Sequence, residues 1–299
     1  MTGVLGPVIE PGFFASSPVH VALLVGGVVA VVSGVVGVFT VVRGQSYAGH
    51  ALADLSVTGG SGSVLIGISP LWGFAGTSVA AAGIMDLIGV QRPRGRDLAT
   101  GIVRGAGLGL AALLLYWDTI HTSTTGATIT ILFGSMFTID SSVISIVVGF
   151  SVAAVGIVAV LYRPLLLSSV SSDLAIVRGV RPRLAGTLCL IAIALATSLS
   201  ALTIGAILST ALLVGPAATA LRLTARPGLA LAWSALIGLL ATWIGILLAY
   251  DSYYWPPKGH GWPVSFFVVF LILAFYLVAQ ARRGRDARRP DAAPQPAEG

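Results

Sequence analysis

The chain has 299 residues, of which 56% are hydrophobic and 9% are charged, whereas roughly 25% of the residues in an average soluble protein are charged. This composition argues against a water-soluble fold. The formal net charge is +6, but 16 of the 17 basic residues are arginines that lie between or after apolar segments. Such a distribution is typical of membrane topology signals, and we expect no nucleic-acid partner.

Apolar runs recur along the chain, and each has about the 20 residues that a helix needs to cross a bilayer. Unbroken runs of this kind favour helices over a β-barrel, whose strands alternate in polarity. We predict an all-α polytopic membrane protein with eight or nine transmembrane helices. The expected spans are 19–42, 47–67, 72–90, 97–117, 139–162, 184–203, 205–222, 228–250 and 263–281.

The arginines also predict an orientation. All of them fall at or near one side of the expected spans, and Lys258 falls on the other side. By the positive-inside rule, the N-terminus is expected outside and the C-terminus in the cytoplasm. The apolar stretch Thr128–Ile139 is too short to cross, so we expect it to re-enter the membrane or to lie at its outer surface.

Three regions follow from this layout. Residues 1–18 are expected to be an extracytoplasmic segment without a cleaved signal, and residues 19–281 a transmembrane domain. Residues 282–299 are expected to form a disordered cytoplasmic tail near the inner lipid leaflet. The single Cys189 excludes an intramolecular disulfide and a cysteine-based metal site, and we interpret it as a small buried hydrophobic residue.

Two ionisable residues stand inside the second expected span, where a charge at the helix centre costs about 2.5–3.5 kcal/mol. His50 and Asp54 are four residues apart, so their side chains project from one helix face. An imidazole and a carboxylate so placed suit zinc, manganese or ferrous iron. The alternative is a structural His–Asp hydrogen bond, and two ligands alone do not complete a coordination shell.

Glycine and proline mark two further positions. Gly59, Gly60 and Gly62 predict either a local break in the second span, as in transporter substrate paths, or close helix packing. Pro216 predicts a kink in the seventh span.

The loop 168–183 predicts a short cytoplasmic helix. Its signals are a cap at Ser171, Ser172 or Asp173, the apolar run Leu174–Val177, the closing Gly179 and the terminating Pro182. A helix of under two turns is unstable alone in water, so we expect it to dock on the membrane domain, on a partner, or on both.

Several ionisable residues are expected on the outer side. They are either a funnel for a cation or ordinary solvated loop residues: His20, Asp118, His121, Asp251 and His260. Asp86, Asp97 and Asp140 lie near span ends and are interpreted as interfacial or capping residues. No phosphate-binding loop of the form Gly-x-x-x-x-Gly-Lys-Ser/Thr occurs, so ATP-driven transport would need a separate ATPase chain.

Five stretches of the chain carry a family resemblance: Arg43–Asp54, Gly95–Val103, Ile131–Ser135, Ser172–Val180 and Gly205–Ala220. Taken in order over nearly the whole chain, they resemble motifs of the membrane permeases of ABC importers for zinc, manganese and iron. One departure concerns the second helix. The family usually has Gly-Asp-x-x-x-His there, whereas this chain has Gly49-His50 followed by Asp54, so both ligand types remain on one face in exchanged order.

The resemblance implies the transmembrane permease subunit of an importer for a divalent transition metal, zinc or manganese or iron. It implies a homodimer in which His50 and Asp54 of both copies hold the ion, with no permanently bound cofactor. It also implies an extracytoplasmic metal-binding protein and a bacterial cell-membrane location. ATP hydrolysis would reside in an ATPase subunit that docks on the loop helix through Ser171, Ser172, Asp173, Leu174, Ile176, Val177, Arg178 and Gly179.

Two other transporter classes stay open at this point. An ion-coupled secondary transporter needs no ATPase but usually shows inverted repeats and paired ionisable residues in its spans, and we find neither. An ABC permease for a metal chelate such as a siderophore keeps the architecture and changes the cargo. A membrane receptor or scaffold would leave the loop helix without a role.

Overall fold

The computed structural model describes residues 13, 16–88, 96–122, 126–134, 136–255 and 261–286. Within them the chain forms eleven α-helices and no strand. The helices are α1 (Ser17–Val42), α2 (Ser46–Leu65), α3 (Pro70–Ile88), α4 (Arg96–Thr122), α5 (Gly126–Phe133), α6 (Ile144–Val170), α7 (Ser172–Val177), α8 (Pro182–Ile204), α9 (Ala206–Leu223), α10 (Pro227–Ser252) and α11 (Val264–Asp286). The predictions for residues 1–12, for Lys258 and His260, and for most of the tail fall outside the described residues.

Nine of these helices have 18 residues or more, and eight of the nine are also apolar enough to cross a membrane. The exception is α2, which carries serine, threonine, glycine, His50 and Asp54 in place of a continuous apolar surface. It packs against α3, α4, α8 and α9, so protein surrounds much of its polar surface. The all-α polytopic fold is confirmed, with eight candidate membrane spans among the described residues.

The core lies where α1 and α8 meet their neighbours. Most of the apolar window of each helix is buried, whereas α4 and α6 are largely exposed at the periphery. Small residues let the central helices approach closely: a Cβ added at Gly34 would lie 2.8 Å from the carbonyl oxygen of Ser234. The Ser234 hydroxyl donates to the Gly34 carbonyl at 2.8 Å, so this buried hydroxyl has a hydrogen-bond partner.

The glycine-rich part of α2 is helical, and the predicted break at Gly59, Gly60 and Gly62 is wrong. The backbone runs without interruption from Ser46 to Leu65. The reason is packing against α3: a Cβ at Gly59 would clash with the backbone of Gly73, and one at Gly60 would meet the Phe74 ring. Gly59 and Gly60 therefore serve close approach, which is the alternative interpretation of the same motif, whereas a Cβ at Gly62 would make only an ordinary contact, at 3.8 Å, with the Leu114 side chain.

Pro216 also leaves its helix continuous, because α9 runs from Ala206 to Leu223 with the proline inside it. No break occurs there, and the kink stays a prediction. The proline is buried in the helix bundle.

The short segment between α4 and α6 does not cross. Its helix α5 has eight residues, or about 12 Å at 1.5 Å per residue, against roughly 30 Å of hydrocarbon. It packs against α2, α8 and α9 and buries Ile131. Its end is fixed by two glycines with positive φ, Gly134 (78°) and Gly205 (87°), where a Cβ on either would lie 2.6 Å from the other's backbone nitrogen.

Candidate functional site

One face of α2 carries a polar stripe. Tyr47, His50, Asp54 and Thr58 follow at spacings of three or four residues, so they share a face, and this face points towards α4. The hydroxyl of Thr58 donates to the carbonyl of Gly107 on α4 at 2.9 Å.

The approach of α4 to α2 depends on a missing side chain. A Cβ at Gly107 would lie 2.9 Å from Cγ of Leu55 and closer still to the end of that side chain. Three residues before Gly107, and therefore on the same side of α4, stands Arg104. The close contact of the two helices brings the Arg104 side chain onto the polar stripe.

Arg104 binds both residues that the sequence singled out as metal ligands. Its Nε donates to Oδ2 of Asp54 at 2.5 Å, and its Nη2 lies 2.8 Å from Nε2 of His50. A guanidinium only donates hydrogen bonds, so His50 Nε2 accepts. The imidazole proton is then on Nδ1, which donates to the hydroxyl of Thr210 on α9 at 2.9 Å.

The burial of this cluster is uneven. The side chain of Asp54 is 11% exposed, that of Arg104 is 29% exposed and that of His50 is 36% exposed. The guanidinium compensates a carboxylate that is otherwise nearly buried among membrane helices, where an unpaired charge is costly. The Tyr47 ring adds a cation–π contact, with its centroid 6.0 Å from Cζ of Arg104.

Arg104 is the residue that sequence reasoning missed, because it was considered only as a topology signal. An available signal was its place inside the span Thr100–His121. An arginine within a span almost always has a partner, and Asp54, interpreted only as a metal ligand, is a carboxylate inside the second helix that could pair with it.

His50 and Asp54 have the geometry of half a metal site. His50 Nε2 and Asp54 Oδ2 are 3.7 Å apart. Two ligand atoms at about 2.1 Å from one tetrahedral ion are about 3.4 Å apart, so a small adjustment lets both reach a shared ion. The Nδ1 contact with Thr210 orients the ring in the manner of an outer-shell partner. No group of three or more His, Cys, Asp or Glu side chains that could hold a metal ion occurs among the described residues.

The short loop helix is present as predicted. The hydroxyl of Ser171 accepts from the backbone N–H of Leu174 at 3.3 Å and caps the start of α7. At the end, Gly179 has φ of 76° and its N–H reaches the carbonyl of Ile176, while that of Val180 reaches the carbonyl of Ala175. These two bonds make a Schellman motif, and Pro182 then begins α8.

The surface of α7 divides into two sides. Ala175 is fully buried against the bundle. The exposed residues on the other side are Asp173, Leu174, Ile176, Val177, Arg178 and Gly179, and nothing is described for the side chain of Ser172. An exposed apolar pair such as Ile176 and Val177, at 59% and 84% exposure, is the kind of surface that a partner covers.

The expected outer residues are not brought together as ligands. His20 and His121 are exposed, Asp118 is buried and Asp251 is half-buried, while His260 falls outside the described residues. The imidazole of His121 bonds its own helix, with Nδ1 2.9 Å from the Trp117 carbonyl.

Asp140 is confirmed as a capping residue. It precedes a short 3₁₀ turn (Ser141–Val143), where its Oδ1 accepts from the backbone N–H of Ser142 at 2.8 Å. This hydrogen bond lowers the pKa of Asp140, because it favours the charged carboxylate.

Comparison with known proteins gives a consistent set of relatives. The profile of the ABC 3 transport family matches residues 17–279. The manganese transport system membrane protein MntC of Listeria innocua is 28% identical over 229 residues, which are 77% of this chain and 80% of that protein. The high-affinity zinc uptake system membrane protein ZnuB of Buchnera aphidicola is 25% identical over 226 residues, covering 76% and 86%.

A solved structure shares the fold. PsaBC from Streptococcus pneumoniae, in complex with Fab, superposes with a TM-score of 0.76 at 24% identity and covers 90% of this chain and 92% of that chain. Since the family profile spans most of the sequence, the resemblance found from the motifs is confirmed. The chain belongs to the ABC 3 transport family, as a multi-pass permease subunit in a bacterial cytoplasmic membrane whose ATP hydrolysis lies in a separate ATPase subunit.

Proposed function

We propose that this permease imports a divalent transition metal, manganese or zinc, and that His50 and Asp54 hold the ion during its passage. The observation that carries the proposal is the geometry of the pair: His50 Nε2 and Asp54 Oδ2 face one point at chelating distance, inside a helix that is otherwise packed in the bundle. The curated relatives add support, because their names assign manganese or zinc transport to them.

Two ligands are too few for a stable site, and a second copy of the chain would supply two more. We propose a homodimer in which the α2 helices of both copies meet the ion on one central path. Four ligands, two imidazoles and two carboxylates, suit both zinc and manganese. The pair is open enough for this arrangement, since the His50 side chain is 36% exposed.

The other partners follow from the family and from α7. We propose that the ATPase docks on the exposed side of α7, which places α7 and the C-terminus in the cytoplasm and the N-terminus outside. Closure of the ATPase would move α7, and the buried Ala175 would pass this movement to the bundle. An extracytoplasmic binding protein would deliver the ion to the opposite face.

One alternative cargo is favoured by a specific observation. The positive guanidinium of Arg104 between the two ligands would suit a carboxylate or hydroxamate group of a metal chelate. A chelate permease takes up the metal only when the chelator is supplied with it, whereas an ion permease takes up the free ion. The ion-coupled secondary transporter is excluded by the family assignment.

The test is metal uptake by the complete transporter. We expect the double substitution of His50→Ala with Asp54→Ala to abolish uptake of both manganese and zinc, while co-purification with the ATPase is retained. Ser61→Ala is the matched control, because Ser61 lies buried on the same helix and bonds only the carbonyl of Val57. Unchanged uptake of both metals by the double variant would overturn the site.

A further inference from the structure

The guanidinium of Arg104 occupies the two atoms that the proposed function assigns to the metal. We propose that Arg104 is a built-in competitor of the cargo: it binds Asp54 and His50 in the metal-free state and must leave them before an ion binds. This inference rests on the proposed function of the pair. It adds a residue that controls loading and release.

The ion and the arginine would use the same two atoms. Nε2 of His50 has a single lone pair, and in this structure it accepts a hydrogen bond from Nη2 of Arg104 at 2.8 Å. A metal ligated through Nε2 needs that lone pair. Oδ2 of Asp54 is likewise the oxygen that is nearer to both Arg104 Nε and His50 Nε2. Binding of the ion and binding of Arg104 therefore exclude each other at these atoms.

The charges in the cluster also favour an exchange of Arg104 for the ion. Asp54 and Arg104 together carry no net charge, so the metal-free cluster is compatible with its place among membrane helices. Adding one divalent ion between the two copies while Arg104 stays in both would put four positive charges next to two carboxylates in a poorly solvated site. If Arg104 withdraws in both copies, the ion meets two carboxylates and the cluster is neutral again.

The Arg104 side chain also has room to move. Its side chain is 29% exposed, and α4 is among the least buried of the long helices. The Tyr47 ring lies 6.0 Å from the guanidinium and offers a cation–π partner for a withdrawn side chain. The space around Gly105 on α4 is open, since a Cβ there would meet nothing within 4 Å.

A competing arginine on the same chain would help the metal ion to leave the site. Four ligands of this kind hold a transition metal strongly, and a transporter site must also let the ion go. A guanidinium that returns to Asp54 and His50 would displace the ion, so Arg104 would weaken equilibrium binding and speed dissociation. The expected size is set by a charge-assisted hydrogen bond, which corresponds to about tenfold or more in affinity.

The test is manganese binding and release by the permease–ATPase complex in lipid nanodiscs. We expect Arg104→Gln to lower the Kd for Mn²⁺ about tenfold and to slow Mn²⁺ dissociation correspondingly. Arg104→Lys, which keeps the charge but not the forked geometry, should fall between the variant and the wild type. Arg222→Gln is the matched control, because Arg222 lies in another long helix and contacts Tyr276, and it should keep the wild-type Kd.

The outcomes separate this inference from the proposed function. Tighter binding in Arg104→Gln that is lost on adding Asp54→Ala supports the competitor. Equal or weaker binding in Arg104→Gln, with binding still dependent on Asp54, overturns the competitor and leaves the metal site standing. Binding that does not depend on Asp54 or His50, or no Mn²⁺ binding in any variant, overturns the metal site and the competitor with it.

Discussion

Two arginines lie within the long helices of the described structure beside a tyrosine, and they differ in their other partners. Arg222 lies in the last turn of α9, where its Nη2 donates to the hydroxyl of Tyr276 at 3.0 Å and its Cζ lies 5.3 Å from that ring. Arg104 also faces a ring, that of Tyr47, but its short contacts are to Asp54 and His50.

Position in the helix decides the role of the same side chain. Arg222 stands in the last turn of its helix, where the helix dipole favours a cation. Arg104 stands two turns inside α4, where the dipole does not explain it. Its explanation is the carboxylate of Asp54.

The largest loss of stability is expected from removing the Asp54 carboxylate. Asp54→Ala leaves Arg104 unpaired among the helices and should lower the free energy of unfolding by about 3 kcal/mol, measured as thermal unfolding in detergent. The double variant with Arg104→Ala should recover most of that stability and no transport. A double variant as unstable as Asp54→Ala would contradict the pairing.

A second effect concerns the packing that holds α2 in place. Gly73→Ala puts a Cβ against the backbone of Gly59, so we expect a loss of about 2 kcal/mol in stability and reduced metal uptake. Gly76→Ala on the same helix is the control, since a Cβ there meets nothing within 4 Å. Equal stability of the two variants would show that close approach of α2 and α3 is not required.

A smaller loss of stability is expected from a substitution at the contact between α2 and α4. Gly107→Ala presses on the flexible side chain of Leu55 and should cost about 1 kcal/mol, while weakening the Arg104–Asp54 contact and tightening metal binding. Gly109→Ala on the same helix has open space around its Cβ and should leave the Mn²⁺ Kd unchanged. Tighter Mn²⁺ binding in Gly109→Ala as well would show that substitutions in α4 change the metal affinity by a route other than Arg104.

The smallest loss of stability is expected from removing the hydrogen bond of Arg222. Tyr276→Phe removes the hydroxyl that accepts from Arg222 and keeps the ring, so stability should fall by about 0.5–1 kcal/mol. Metal affinity and uptake should stay at the wild-type level. A change in Mn²⁺ affinity would mean that Arg222 is coupled to the site, and the contrast between the two arginines would fail.

Much of the fold could be predicted because membrane spans depend on local composition. The short helix α7 was also predictable, since Ser171 and Gly179 act through bonds within a few residues of the chain. The Gly59 and Gly60 motif was ambiguous, because a glycine that unwinds a helix and one that admits a neighbour look alike until Gly73 and Phe74 are placed against them.

The candidate site was predictable only in part. The spacing of His50 and Asp54 is local, so their common face followed from the helix period. Arg104 lies 50 positions along the chain from Asp54 and 54 positions from His50, and Thr210 lies 160 positions from His50. Contacts of this kind depend on how α2, α4 and α9 pack, which the residue pattern of one helix does not contain.

The most direct test is the position of manganese in the loaded transporter, located by anomalous X-ray scattering at the manganese edge. We expect an anomalous peak within ligand distance of His50 Nε2 and Asp54 Oδ2, with the Arg104 guanidinium withdrawn from both atoms. A manganese peak elsewhere along the helices, with Arg104 still bound to Asp54, would contradict it.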